Sequence, residues 1–292
     1  MSEAQDDGLL HDKDFAADLV KIEQLAVELA DVAGSEITRA LGSILAVRYK
    51  TTATAEADAE EMKWRDPVSE VDQRVEAIIR KRLSEHFPDH DIIGEEMTER
   101  PARDHDFVWA VDPIDGTTNF VNGFPMFAAS IGVLYRGRPV VGALWCSTSH
   151  ALRPGVYHAT IGGKLRFEGA DVTPKLNAAV RRHLAGVPML TPADGSWETR
   201  KTGSAAIECA MVAAGLMKVA RFASPNIWDV AGGLALVAAG GMVARENDGR
   251  RWAPMRSFEP GPSEGGQPDL RHWRRAIVVG TADAVERMCA AA

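Results

Sequence analysis

The stretch that most limits what this chain can become runs from Trp109 to Phe120 and reads Trp-Ala-Val-Asp-Pro-Ile-Asp-Gly-Thr-Thr-Asn-Phe. The apolar run Phe107 to Val111 predicts a buried strand, and its end carries two carboxylates, Asp112 and Asp115, held apart by Pro113. Gly116 then permits close backbone approach or a positive φ, and Thr117 and Thr118 suit the start of a helix or a tight turn whose N–H groups point at an anion. Two acids beside an anion-binding turn would repel a phosphate unless hard cations lay between them. An oxygen-only donor set favours Mg²⁺ over Zn²⁺. The plain alternative is a surface turn, since Asp, Pro, Gly, Thr and Asn are all common turn residues.

Over these dozen residues the chain resembles the inositol monophosphatase family. These are Mg²⁺-dependent, lithium-sensitive phosphomonoesterases, with relatives acting on fructose bisphosphate, nucleotide 3′-phosphates and histidinol phosphate. The resemblance implies the family's layered αβαβα sandwich, a mixed α/β fold, and a homodimer.

Length and composition agree with such a fold. A chain of 292 residues, 46% of them hydrophobic, can build one large catalytic unit over 1–292, in approximate halves 1–150 and 151–292. No apolar run approaches the ~18 residues needed to span a bilayer. The acidic start, Met1 to Asp14, has neither the basic nor the apolar region of a signal peptide, so a cytoplasmic protein with no membrane partner is expected. Cys146, Cys209 and Cys289 are far apart, with no His or Cys at ligand spacing, and read as small core or surface residues. A net charge of −8 opposes broad nucleic-acid binding. Small anionic substrates stay possible, because bound cations invert the field of an acidic site.

Taken in order, the apolar residues from Phe15 through Ile22, Leu29 and Ile37 to Val47 recur three or four apart and predict a long amphipathic helix. Gly34 inside it marks a kink, a close contact or the end of a first helix. The polar stretch Thr51 to Glu61 reads as a loop. In Lys63 to Asp72, Ser69 and Asp72 have the spacing of a capping box ahead of a helix carrying Val75, Ile79 and Leu83. Asp91 to Glu96 predicts a short strand ending in glycine and acids. Two strands ending in acids can converge on one cation site, because ligands of open α/β sheets gather beyond the strands' carboxyl ends.

Ala129 to Tyr135 and Pro139 to Trp145 predict a hairpin around Arg136-Gly-Arg, and Val156 to Ala159 with Lys164 to Phe167 a second. A mixed sheet follows from these. Gly169 to Glu198 is weakly patterned, and Pro260 to Pro268 reads as an irregular loop. Ser204 opens a helix continuing to Leu216, Met217 to Phe222 predicts a strand, and Asn226 starts a helix of small residues. Gly241 to Arg245 and Ala276 to Gly280 complete the strands, and Thr281 caps a terminal helix.

The resemblance extends along the chain and assigns roles by motif. It implies Glu95, Asp112, Asp115, Asp229 and the carbonyl of Ile114 as ligands of two or three Mg²⁺ ions, with Glu96 in support. It implies Thr117, oriented by Asp72, as the group that positions the attacking water, with Glu95 also catalytic. Gly116, Thr117 and Thr118 would hold the phosphate, and Gly203, Ser204 and Ala205 would line the pocket of a small phosphorylated metabolite. One position departs from the pattern. Seven residues before Asp229, where inositol phosphatases carry an acid that binds substrate hydroxyls, this chain has Phe222, next to Arg221. Phe222 is therefore the candidate substrate-selecting residue, and Arg221 suits a second phosphate if it faces the pocket. Because some relatives have regulatory roles, a non-enzymatic regulator that binds RNA or protein is the alternative of a different class.

Overall fold

A computed structural model describes residues 13–42, 47–49, 67–96, 105–173, 179–180, 183–188, 197–260 and 269–290. The loops expected over Thr51 to Glu61 and beyond Pro260, and the lead-in from Lys63 to Asp66, lie outside the described residues. The chain runs α1 (Lys13–Ala40), β1 (Val47–Tyr49), β2 (Pro67–Ser69), α2 (Glu70–His86), β3 (Asp91–Gly94), β4 (Phe107–Asp115) and α3 (Thr117–Val121). Next come β5 (Ala128–Tyr135), β6 (Arg138–Cys146), β7 (Gly155–Thr160), β8 (Arg166–Phe167), β9 (Ala170–Asp171), β10 (Leu184–Gly186), β11 (Glu198–Arg200) and α4 (Ala205–Ala213). The rest is β12 (Val219–Phe222), α5 (Ile227–Ala239), β13 (Val243–Asn247), β14 (Trp252–Pro254), a 3₁₀ turn (Leu270–His272), β15 (Ala276–Gly280) and α6 (Ala282–Ala290).

Strands β3 to β9 form a seven-stranded sheet in sequence order, with β3 parallel to β4 and every later pair antiparallel. A six-stranded sheet runs β11-β10-β12-β15-β13-β14. The changeover between sheets falls later than residue 150, because the β7–β9 arm stays with the first sheet. Helices α1 and α2 cover one face of the first sheet through Ile22, Leu29, Val75 and Ile79 against Trp109, Val111 and Val133. Helices α4 and α5 fill the space between the sheets, where Cys209, Val230 and Leu234 meet Val108 and Ala110 from one side and Ala220, Ile277 and Val279 from the other. Helix α6 closes the outer face of the second sheet on Val219 and Val278. The result is the five-layered αβαβα sandwich that the resemblance implied. Among the described residues no helix is long and apolar enough to cross a membrane.

Helix α1 ends at Ala40, earlier than its apolar spacing suggests, and Val47 belongs to a strand instead. Periodicity alone could not see this stop, because isolated apolar residues satisfy a helical spacing even where the chain has left the helix. Gly34 does not end α1, which runs on to Ala40. It lies against the indole of Trp145, where a Cβ would fall 2.2 Å from Cδ1. Gly34→Ala should therefore lose stability although alanine is the better helix former. The gain of ~1 kcal/mol in propensity is outweighed by overpacking that costs roughly 1–3 kcal/mol. A thermal melt should move down by a few degrees, and an unchanged or higher midpoint would show that the indole yields freely.

Helix α4 stops at Ala213, short of Leu216. Strand β10 falls in the weakly patterned stretch and β11 begins at its end; each is three residues long, β10 being defined by pairing with distant β12 and β11 by pairing with β10.

Candidate active site

Strand β4 alternates between layers: Trp109 and Val111 face α1 and α2, while Val108 and Ala110 face the middle layer. Asp112 continues the second set. Strict alternation would turn Asp115 the opposite way, but the pairing shifts here: Asp112 is opposite Ser130 and Asp115 opposite Ala128. Pro113 and Ile114 thus stand against the single residue Ala129, a bulge at the one residue that has no N–H to give. Ile114 packs into the α1–α2 core. Both aspartates are left on the side of α4 and α5, and they lie within the strand, at its carboxyl end.

Asp115 reaches the start of α4, where Ser204 Oγ and the Ala206 N–H both donate to Oδ2 at 2.6 Å. Ser204 also N-caps α4, accepting from the Ile207 N–H. Gly203 stands exposed just before it, and Ala205 is the first residue of the helix. Asp229 occupies the first turn of α5 and accepts the Asn226 N–H at 2.7 Å. Helix α5 comes close to the first sheet because Gly232 rests on Gly132 and Gly142, where a Cβ would fall within 2.4 Å of its backbone.

Glu95 follows β3, and its N–H donates to Val111 O at 3.2 Å. Asp112 lies at the meeting point. Burial, then the charges of Glu95, Asp115 and Asp229, push its carboxyl well above the ordinary range, and its side chain hydrogen-bonds Glu95. Burial likewise raises Asp115 and Asp229, each with Glu95 as a further cause.

Asp72 sits at the start of α2, where the capping box is realised: Ser69 Oγ accepts the Val71 N–H, and the Ser69 N–H donates to Asp72 Oδ2 at 2.8 Å. Its other oxygen, Oδ1, lies 3.2 Å from Thr117 Oγ1, which is also 2.8 Å from Ile114 O. Asp72 is fully buried, and this pushes it up to about 6 despite the Ser69 bonds. Both partners of Thr117 can only accept, so its one proton goes to them and its lone pairs are left for an outside donor. Thr117 opens α3, a single turn entered through Gly116 at φ +90°, a conformation that favours glycine. Thr118 is exposed on that turn.

The fold thus sets Asp72 against Thr117 and brings Glu95, Asp112, Asp115 and Asp229 within electrostatic reach of one another, Glu95 also acting on Asp72. The donors are all oxygen, and Asp112 Oδ1 is buried with no hydrogen-bond partner, both of which suit a hard cation. Among the described residues no three His, Cys, Asp or Glu side chains are close enough around one point to hold a metal ion.

Phe222 is buried in the apolar cluster that holds Ile227 and Trp228, with Ala205 packed against it. Arg221 points the other way. It pairs with Val278, which faces α6, and its charge acts on Cys289 of that helix, so it cannot reach a substrate among the carboxylates. One arginine near them is Arg274, whose guanidinium lies 5.9 Å from the Trp228 ring centroid and is acted on by the charge of Asp229.

Sequence reasoning also missed Asn119, which ties the α3 turn to the α4 loop by donating to Met126 O at 2.7 Å and Thr202 O at 2.8 Å. It missed Glu208, buried below that loop, which accepts from Thr202 Oγ1 at 2.7 Å and is raised by burial to about 7. A glutamate inside an apolar helical run was the one available signal for Glu208.

The model of a family described as the inositol monophosphatase family matches residues 18–267. The chain is 31% identical over 248 residues to the chloroplastic phosphatase IMPL1 of Arabidopsis thaliana, a match spanning 77% of this chain and 62% of that protein. It is 32% identical over 234 residues to Nus factor SuhB of Escherichia coli, spanning 73% of this chain and 84% of that one. Among solved structures, the extragenic suppressor protein suhB of Bartonella henselae superposes with a TM-score of 0.69 at 24% identity, covering 93% of this chain and 98% of the other.

Proposed function

This chain belongs to the inositol monophosphatase family, and from that premise we propose that it is a Mg²⁺-dependent phosphomonoesterase of small phosphorylated metabolites. The observation that supports the reading is the buried Asp112, on which the charges of Glu95, Asp115 and Asp229 all act, together with the hydrogen bond between Thr117 and Asp72. The four acids and the Ile114 carbonyl would bind the cations. When bound, Mg²⁺ supplies Lewis acidity, easing the deprotonation of water and neutralising charge on phosphate oxygens. Thr117 Oγ1 accepts a hydrogen bond from the attacking water and passes its own proton toward Asp72, which fixes the direction of attack. The N–H groups of Gly116 and Thr117 hold the phosphate, and water displaces the alcohol in line. Ser204 keeps Asp115 oriented, while Gly203 and Ala205 border the pocket. Homodimerisation and a cytoplasmic location belong to the same proposal and rest on the family resemblance and the composition. Light scattering tests the first.

The test is phosphate release from an aryl phosphate by the purified protein with and without Mg²⁺, followed by a screen of inositol 1-phosphate, fructose 1,6-bisphosphate, nucleotide 3′-phosphates and histidinol phosphate. Release that depends on Mg²⁺ supports the reading, and no release from any of them overturns it. The identity to Nus factor SuhB favours a second reading, a regulatory partner of other macromolecules. The net charge of −8 weighs against a nucleic-acid partner.

Phe222 bears on substrate choice. A site that hydrogen-bonds ring hydroxyls discriminates strongly, because the wrong ligand leaves its polar groups unpaired, and phenylalanine makes no such bond. We expect kcat/KM for inositol 1-phosphate to be no better than for at least one other compound in the screen, and Phe222→Glu to shift the ratio toward inositol phosphate. Because Phe222 is buried, the substitution also costs stability, so melting is followed in parallel. A wild type that prefers inositol 1-phosphate over every other compound would show that another group makes the missing contact.

A further inference from the structure

Helix α2 carries Asp72, Glu76 and Arg80 four residues apart, and so on one face. Asp72 serves Thr117. Glu76, one turn on, is fully buried; its Oε2 accepts the Glu96 N–H at 2.8 Å, and its Oε1 takes Arg80 Nε at 2.9 Å and Nη2 at 2.8 Å. The carboxylate fills the space over Gly94, where a Cβ would fall 2.1 Å from Oε1. The turn from Gly94 to Glu96 is thereby held at three successive residues by three different elements. Arg271 Nη1 donates to Gly94 O at 3.4 Å, the Glu95 N–H donates to Val111 O at 3.2 Å, and the Glu96 N–H donates to Glu76. The middle residue of that turn is Glu95, the partner of Asp112.

We propose that Glu76, clamped by Arg80, is a positioning residue for Glu95, fixing the backbone from which the Glu95 carboxylate reaches the cation. The proposal rests on the phosphatase reading, in which Glu95 is a ligand. A buried carboxylate is costly unless fully paired, and a pair placed for packing alone has no need to grip the peptide next to a ligand. Gripped there, it removes backbone freedom that Glu95 would otherwise lose on binding a cation, so the affinity for Mg²⁺ depends on a residue that never touches the ion.

The experiment is a double-mutant cycle on the full chain, with Mg²⁺ binding measured by calorimetry beside phosphate release and thermal melts. Glu76→Gln keeps the volume and an oxygen for the Glu96 N–H, but turns an amide donor toward the Arg80 guanidinium. It should weaken Mg²⁺ binding about tenfold in the wild-type background, and change it by less than about twofold in the Glu95→Gln background, where there is no ligand left to position. Wild-type affinity in Glu76→Gln, or the same loss in both backgrounds, overturns the proposal, since a merely structural pair gives additive effects. If Glu76→Gln does not fold, Arg80→Met replaces it, leaving the Glu96 contact and removing the clamp; a loss confined to the background with Glu95 intact supports the proposal and an equal loss in both overturns it. A wild type that binds no Mg²⁺ at all overturns the phosphatase reading, and this proposal with it. A wild type that binds the ion while the cycle is additive overturns only the role of Glu76.

Discussion

Asp112→Asn is expected to lose turnover at every Mg²⁺ concentration while melting at or slightly above the wild-type temperature in metal-free buffer. The two halves of that result come from one geometry. Asp112 is buried among Glu95, Asp115 and Asp229, and its carboxyl is raised well above its ordinary value by burial and by those charges. A carboxyl whose folded pKa exceeds its unfolded value makes the fold less stable as pH rises through the unfolded value near 3.8, because the folded state holds the proton more tightly. The carboxyl is therefore a liability to the fold at neutral pH, and the neutral, isosteric amide removes that cost without opening a cavity. In the proposed mechanism, however, the same charge holds the cations on which hydrolysis depends. Phosphate release and calorimetric melts on the purified variant check both halves. Near wild-type activity at saturating Mg²⁺ would remove Asp112 from the ligand set, and a large fall in melting temperature would show that its charge is paired in the fold.

Thr117→Ala should separate catalysis from metal binding. The hydroxyl lies between Ile114 O and Asp72 Oδ1, both acceptors, so what it offers a water molecule is a lone pair of fixed direction. Positioning and proton-transfer help of this kind is worth about 10²–10⁴-fold, and kcat should fall by that much while the Mg²⁺ dependence stays where it was. The fold should survive, since Asp72 keeps its bonds from Ser69 N and Oγ. Asp72→Asn should fall in the same direction, because an amide can present its N–H to Thr117 and turn the hydroxyl around. A Thr117→Ala enzyme that kept its kcat and lost affinity for Mg²⁺ would make the hydroxyl a ligand instead.

Local chemistry made much of this protein legible in the sequence. The capping box of Ser69 and Asp72, the strand through Trp109, the hairpin around Arg136-Gly-Arg and the glycine turn at Gly116 are all decided by residues within a few positions of one another. Short-range sterics and hydrogen bonding act at that range, so a linear reading can follow them. The acids of the candidate site were named for a different reason, the resemblance of their motifs to those of the family. How they come together could not be read in either way, because that depends on pairing between distant segments. A bulge against Ala129 turns Asp112 and Asp115 to one side, three glycines from three elements let α5 bring Asp229 close, and strand register sends Arg221 to the outer face while Phe222 stays inside. Glu76 looks like an ordinary helix-surface glutamate in the sequence, and Glu208 differs from one only in its apolar neighbours. Only the packed structure shows them buried under the turns that carry Glu95 and Ser204, because burial is set by what the rest of the chain places on top of a residue, and neighbours in sequence do not carry that information.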